Sequence, residues 1–377
     1  MYSAMTGWDS PLLPHESKSA ITKQLEPFFA FLPGSLRGML LGQMSVQVAL
    51  PTLPLPEPLT ESAEDKVASV VDTPDEQKVQ GSGQDGGHGQ NIDQGQEHNK
   101  GQGQENEKAG YRLTISMEGA RIVAMGFGVE LRDAYLFCMA NGLWPLRFVR
   151  NAGSLTLAEQ EYLLRSRVTI VGCGALGGFA SILLARVGIG SLVLCDDDVF
   201  EESNLNRQFF CDEKTIGRPK VDVAQENLIK IASHLLITPF AERATKENLP
   251  HILTGSHLMV DCVDSVATRI MLDEAAVALK IPYVHGALAG FEGFCGVSFV
   301  TEGFGLVRQM YGDAPLNDDA KVIQEVGLLA PTASSVASLQ ALLTVQTLLA
   351  CFHGKSIPPK RLIHLDLLLP SLTLFTV

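Results

Sequence analysis

The sequence lacks the marks of a disulfide-stapled, dithiol or nucleic-acid-binding protein. Its seven cysteines, at 138, 173, 195, 211, 262, 295 and 351, form no Cys-x-x-Cys pair. They read as buried, reduced thiols of a cytoplasmic protein. Cations are outnumbered, 29 Lys and Arg against 42 Asp and Glu, giving a formal charge of −13. A nucleic-acid backbone is therefore a poor partner. Met1 to Lys18 is polar and punctuated by proline, unlike a secretory leader. Val336 to Phe352, the most apolar stretch, reads as too short and too polar for a membrane span.

Apolar periodicity is also missing from a long internal tract. Residues 58–110 are low complexity, and Gln80 to Lys108 is almost wholly Gly, Gln, Asp, Glu, Asn, His, Lys and Ser. Such a composition cannot bury a core, so a disordered linker is expected. Before it, residues 1–57 read as an irregular extension or docking arm, with a short helix expected over Arg37 to Val48 and closely spaced prolines after it. After it, residues 111–146 suggest a small accessory module. A strand is expected from Tyr111, a hairpin partner over Ala120 to Phe127, and a helix over Leu131 to Leu143.

What is present is concentrated between Arg167 and Lys220. A β-branched run, Val168-Thr169-Ile170-Val171, leads into Gly172-Cys173-Gly174-Ala175-Leu176-Gly177-Gly178. A helical pattern follows to Val187, then a second strand ending in Asp196, Asp197 and Asp198. Strand, glycine loop, helix, strand and acid make a dinucleotide-binding fingerprint. Gly172 and Gly174 permit a tight turn and close approach of phosphate, and Gly177 permits close packing of helix on strand. The helix N-terminus offers N–H groups and positive dipole to an anion. Beyond it the chain alternates strand and helix, with a helix expected over 245–253. A long apolar helix over Pro331 to Leu349 and two alternating strands close the chain. The pattern predicts an α/β, Rossmann-like doubly wound sheet, mostly parallel, with added antiparallel C-terminal strands.

Further motifs follow the fingerprint in order: Ser203-Asn204-Leu205-Asn206-Arg207-Gln208, then Gly217-Arg218-Pro219-Lys220, then Asp261-Cys262-Val263-Asp264. With the glycine loop and the acids, they resemble the ThiF/MoeB/HesA adenylating enzymes, bacterial relatives of ubiquitin-activating enzymes. The resemblance covers roughly residues 147–377. It implies an ATP-dependent adenylyltransferase that activates the C-terminal carboxylate of a small ubiquitin-like sulfur carrier ending in Gly-Gly. It implies that Asp196 binds ribose, with Asp198 beside it, and that Arg207 and Lys220, with Asn204, hold the triphosphate. Asp264 would handle Mg2+. Arg150 would reach into the partner's site of a homodimer.

Two departures from the family pattern change the expectations. The cysteine pairs that hold structural zinc are replaced by Val307-Arg308-Gln309-Met310 and Cys351-Phe352-His353-Gly354, so no zinc is expected. Ile323 stands where a crossover-loop thiol would be, so no thioester is expected there. Two other readings remain open: a nucleotide-binding scaffold without turnover, and an NAD-dependent oxidoreductase. The latter leaves Arg207 and Lys220 without a role.

Overall fold

The computed structural model describes residues 44–48, 111–299, 303–312, 325–357 and 360–376. The expected linker, most of the N-terminal extension and Ile323 lie outside the described residues. The whole functional site lies in the unit that holds residues 113–377.

Within the N-terminal extension, Met44–Val48 is a strand, β1, not the end of a helix. It is followed by β2 (Tyr111–Ile115), α1 (Met117–Phe127), α2 (Leu131–Ala140) and the two-residue β3 (Trp144–Pro145). These three strands form a small sheet in that order. The expected hairpin over Ala120 to Phe127 is therefore a helix. Ser116 caps it, accepting from the Gly119 N–H at 3.0 Å, and Gly128 closes it in the left-handed conformation. Gly119, Ala120, Ile122 and Val123 are its buried residues, with 119, 120 and 123 at helical spacing. A 3-10 turn, Leu146–Asn151, leads to α3 (Leu157–Arg165), which opens with a capping box between Thr156 and Glu159.

The main body continues with β4 (Arg167–Val171), α4 (Ala175–Val187), β5 (Ser191–Cys195), α5 (Lys220–Ile231) and β6 (Leu236–Phe240). Then come α6 (Leu249–Ile252), β7 (Leu258–Asp261), α7 (Val266–Leu279), β8 (Tyr283–Ala289) and β9 (Glu292–Ser298). The chain closes with α8 (Leu306–Tyr311), α9 (Ala330–Phe352), β10 (Lys360–Asp366) and β11 (Ser371–Thr376). The helix expected over 245–253 is cut to four residues, with Pro250 in its first turn.

Eight strands form one sheet in the order β11-β10-β9-β8-β7-β4-β5-β6. From β8 to β6 neighbouring strands are parallel, and β9, β10 and β11 continue antiparallel. Strands β4, β5 and β7 are buried on both faces, as crossover helices require, and correspondingly read as apolar runs. Two core clusters result. One holds Leu176, Ala180 and Leu184 of α4 with Val336 and Ala337 of α9; the other holds Ile270, Leu272 and Ala276 of α7. By length and composition alone α9 would suffice to cross a membrane, more than the sequence reading allowed. Here it packs on α4, β8 and β9.

Candidate functional site

The parallel strands reverse direction of winding at β4, which has β5 on one side and β7 on the other. The loops leaving β4 and β7 diverge there and leave a crevice at the C-terminal edge of the sheet. A cavity of about 1010 Å3 occupies it. Seven of the ten expected site residues line that cavity: Gly172, Gly174, Asp196, Asp198, Arg207, Lys220 and Asp264.

The glycine loop is built around backbone contacts that no side chain would survive. Gly172 has φ +95°, and a Cβ there would lie 2.5 Å from the Cys262 carbonyl oxygen. Gly174 is the N-cap of α4 and supplies no side-chain hydrogen bond to the first turn. Gly177 does not line the cavity. A Cβ on it would lie 1.8 Å from the Gly172 carbonyl oxygen, so its absence lets α4 seat against the loop.

The acids at the end of β5 clasp this loop. The Asp196 carboxylate accepts from the Cys173 N–H at 2.6 Å and from the Asp198 N–H at 2.9 Å. Burial raises its pKa, against the opposing charge of Lys220. Lys220 is the first residue of α5 and only 6% exposed. Its Nζ donates to Asp198 Oδ2 at 2.9 Å. Asp197 accepts from Arg243 Nε at 3.0 Å. The three carboxylates come within 4.8 Å of one another, with Lys220 and Arg243 countering two of them.

Opposite the acids, Arg207 is partly buried. One Nη donates to the Ser203 carbonyl and to Asn206 Oδ1, both at 2.8 Å, while its buried Nε has no partner. Desolvation lowers its pKa and the charge of Asp264 opposes this. Asp264 is exposed just before α7, whose N-cap is Ser265, accepting from the Thr268 N–H at 3.1 Å. Asn206 Nδ2 donates to the Leu328 carbonyl at 3.2 Å and so ties this motif to the segment preceding α9.

Two expected residues stand elsewhere. Asn204 is buried and shapes its own turn, its Oδ1 accepting from the Glu201 N–H at 3.1 Å. Arg150 is exposed on the 3-10 turn beside Asn151, whose amide donates to the Val187 carbonyl at the far end of α4. It does not reach this cavity within the same chain. Sequence reading missed Arg243, which lines the cavity from the loop after β6. It also missed Tyr283, His285 and Gln340, which join Asp261 and Arg269 in a buried polar group beneath the Asp264 loop. Burial raises the pKa of Cys173 and Cys262 well above the usual thiol value and that of Cys195 to about 12, which disfavours the reactive thiolate.

These residues suit a nucleotide with its metal. The uncapped α4 N-terminus behind two glycines accommodates phosphate, Lys220 and the orphaned Arg207 Nε offer cationic donors, and Asp264 offers a carboxylate.

Residues 148–376 match the model of the ThiF family. The molybdopterin-synthase adenylyltransferase of Escherichia coli K12 is 36% identical over 192 residues, 50% of this chain and 75% of that protein. The sulfur carrier protein ThiS adenylyltransferase of the same organism is 33% identical over 211 residues, 54% of this chain and 83% of that protein. Among solved structures, E. coli MccB with ATP superposes with a TM-score of 0.53 at 20% identity, over 61% of this chain and 71% of that one. That likeness bears on the fold alone. With the family model covering more than half of its length, the chain belongs to the ThiF family.

Proposed function

We propose that this chain is an ATP-dependent adenylyltransferase that activates the C-terminal carboxylate of a small ubiquitin-like sulfur-carrier protein ending in Gly-Gly. The observation that carries the proposal is the convergence of the glycine loop, Asp196, Arg207, Lys220 and Asp264 on one cavity, in a family whose relatives are adenylyltransferases. The NAD reading loses ground because Lys220 and Arg207 suit a triphosphate.

In the reaction a carboxylate oxygen of the carrier bonds to the α-phosphorus of ATP. The bond from that phosphorus to the bridging oxygen breaks, and pyrophosphate leaves with the electron pair. No proton need move. The residues act by binding and by stabilising charge that builds on the departing pyrophosphate. Gly172 and Gly174 admit the phosphates to the α4 N-terminus, and Asp196 takes the ribose hydroxyls. Lys220 and Arg207 face the triphosphate, which must compete with Asp198 for the Lys220 ammonium. Asn204 supports them by fixing the turn that carries Arg207. Mg2+, when bound, adds Lewis-acid polarisation of phosphate oxygens, with Asp264 as its protein ligand.

Arg150 completes the site of a neighbouring copy in a homodimer. Its exposed position at the far end of α4 supports a role outside its own cavity. The enzyme is cytoplasmic, contains no zinc, and engages neither nucleic acid nor membrane. Titration calorimetry with ATP and with NAD tests the nucleotide; tighter binding of NAD would overturn the proposal. Incubation with ATP and a carrier from the same genome should add the mass of AMP to the carrier. Sedimentation tests the dimer: a monomer with full activity would remove Arg150 from the site.

A further inference from the structure

Asp264 is exposed, and the two residues before it must set its position. Both peptide groups of Val263 are gripped from below. Asp261 Oδ1 accepts from the Val263 N–H at 3.1 Å, and Arg269 Nη2 donates to the Val263 carbonyl at 2.8 Å. The gripping groups are themselves fixed. Asp261 is fully buried at the end of β7, and its Oδ2 accepts from Tyr283 Oη at 2.6 Å and from His285 Nδ1 at 2.8 Å. Its backbone carbonyl accepts from Gln340 Nε2 of α9 at 2.6 Å. Arg269 Nε lies 3.9 Å from Asp261 Oδ2, too far for a hydrogen bond but close enough for the charges to pair.

The charge pattern is specific. Burial lowers the pKa of His285 and raises that of Tyr283, disfavouring the charged form of each. Arg269 is then the cation that balances Asp261, and the opposite charges can be buried together. Arg269 also lines the cavity while remaining 8% exposed. An ion pair this deep is weak evidence of stabilisation. What it provides is a fixed attachment for the Cys262–Asp264 loop, joined to β7, β8, α7 and α9 at once.

We propose that Asp261 and Arg269, braced by Tyr283 and His285, are positioning residues that set the Asp264 carboxylate for the metal-bearing end of the nucleotide. This rests on the adenylyltransferase reading, in which Asp264 meets Mg2+. Groups that orient a metal ligand typically matter by about 10–100-fold in metal affinity or activity.

The test separates binding of the nucleotide from its response to metal. ATP affinity of the full chain is measured by calorimetry without divalent ion and across a Mg2+ titration, with melting temperature recorded for each variant. For Arg269→Met we expect a loss of ATP affinity much larger with Mg2+ than without it, and a rise of about tenfold or more in the Mg2+ concentration giving half the metal-dependent tightening. Arg269→Lys keeps the charge but only a compact donor, and should recover part of the shift. Tyr283→Phe removes one donor to Asp261 and should shift the Mg2+ response in the same direction by less. It decides the matter should Arg269→Met fail to fold. An unchanged Mg2+ response in folded variants overturns the inference. So does an equal loss of affinity with and without Mg2+, which would mark a general structural role. A wild-type protein whose ATP binding ignores Mg2+ would instead overturn the placement of Asp264 from which the inference starts.

Discussion

Gly177 and Gly190 make a matched pair for separating stability from nucleotide binding. A Cβ at Gly177 would lie 1.8 Å from the Gly172 carbonyl oxygen and 2.9 Å from its carbon. Both are backbone atoms, so no rotamer relieves the contact. Either α4 lifts off β4 or the glycine loop moves into the cavity. At Gly190 a Cβ would lie 1.7 Å from the Leu164 carbonyl oxygen, an equally severe clash. Gly190 precedes β5, at the opposite end of that strand from Asp196, so its strain falls away from the cavity. Overpacking of this kind costs about 1–3 kcal/mol. Gly177→Ala and Gly190→Ala should therefore lose comparable stability in urea titrations. Only Gly177→Ala should also weaken ATP, because the moved loop carries the phosphate-facing N–H groups and the Cys173 N–H that Asp196 holds. Calorimetry under native conditions reads the difference. Wild-type ATP affinity in Gly177→Ala, or equal loss in Gly190→Ala, would refute the assignment of Gly177 to loop placement.

Three further outcomes are expected. Lys220→Met keeps the buried stem but removes the ammonium, and Asp198 is exposed enough to rehydrate. Stability should hardly change while pyrophosphate–ATP exchange falls by about a hundredfold or more; a loss under tenfold would remove Lys220 from charge stabilisation. Cys173→Ala and Cys295→Ala should leave exchange nearly intact, and a reductant-sensitive adduct with the carrier on any cysteine would contradict this. Asp273 caps α8, accepting from the Val307 and Arg308 N–H groups at 2.9 and 3.2 Å, and burial raises its pKa to about 6. Its folded pKa exceeds the ordinary value of about 4, so the stability it contributes is present below pH ~4 and lost as pH rises to ~6. Asp273→Asn should abolish that decline, up to about 3 kcal/mol, in urea titrations across this range; an unchanged pH profile would contradict the shift.

The central α/β body was legible because its signals are local. Gly177 is imposed by the Gly172 carbonyl within the same strand–turn–helix, and the acids of β5 follow directly. The strands buried on both faces appear as unbroken apolar runs. The misread segments failed for local reasons too. The hairpin expected over Ala120 to Phe127 overlooked the Ser116 cap and the helical spacing of Gly119, Ala120 and Val123. The Asp261 group was invisible because its partners come from sequence separations of 22, 24 and 79 residues. Only the sheet order brings β7 beside β8 and seats α9 against them. Arg243 was hidden similarly, since its meaning depends on β6 lying next to β5.

The central claim is transfer of AMP to a carrier carboxylate, and carrier-dependent exchange of labelled pyrophosphate into ATP measures it most directly. With a Gly-Gly-ending carrier from the same genome, wild-type protein should catalyse exchange that needs Mg2+ and disappears when the carrier's terminal Gly-Gly is removed. ATP binding without exchange, for every such carrier in that genome, would contradict the claim and favour a nucleotide-binding scaffold.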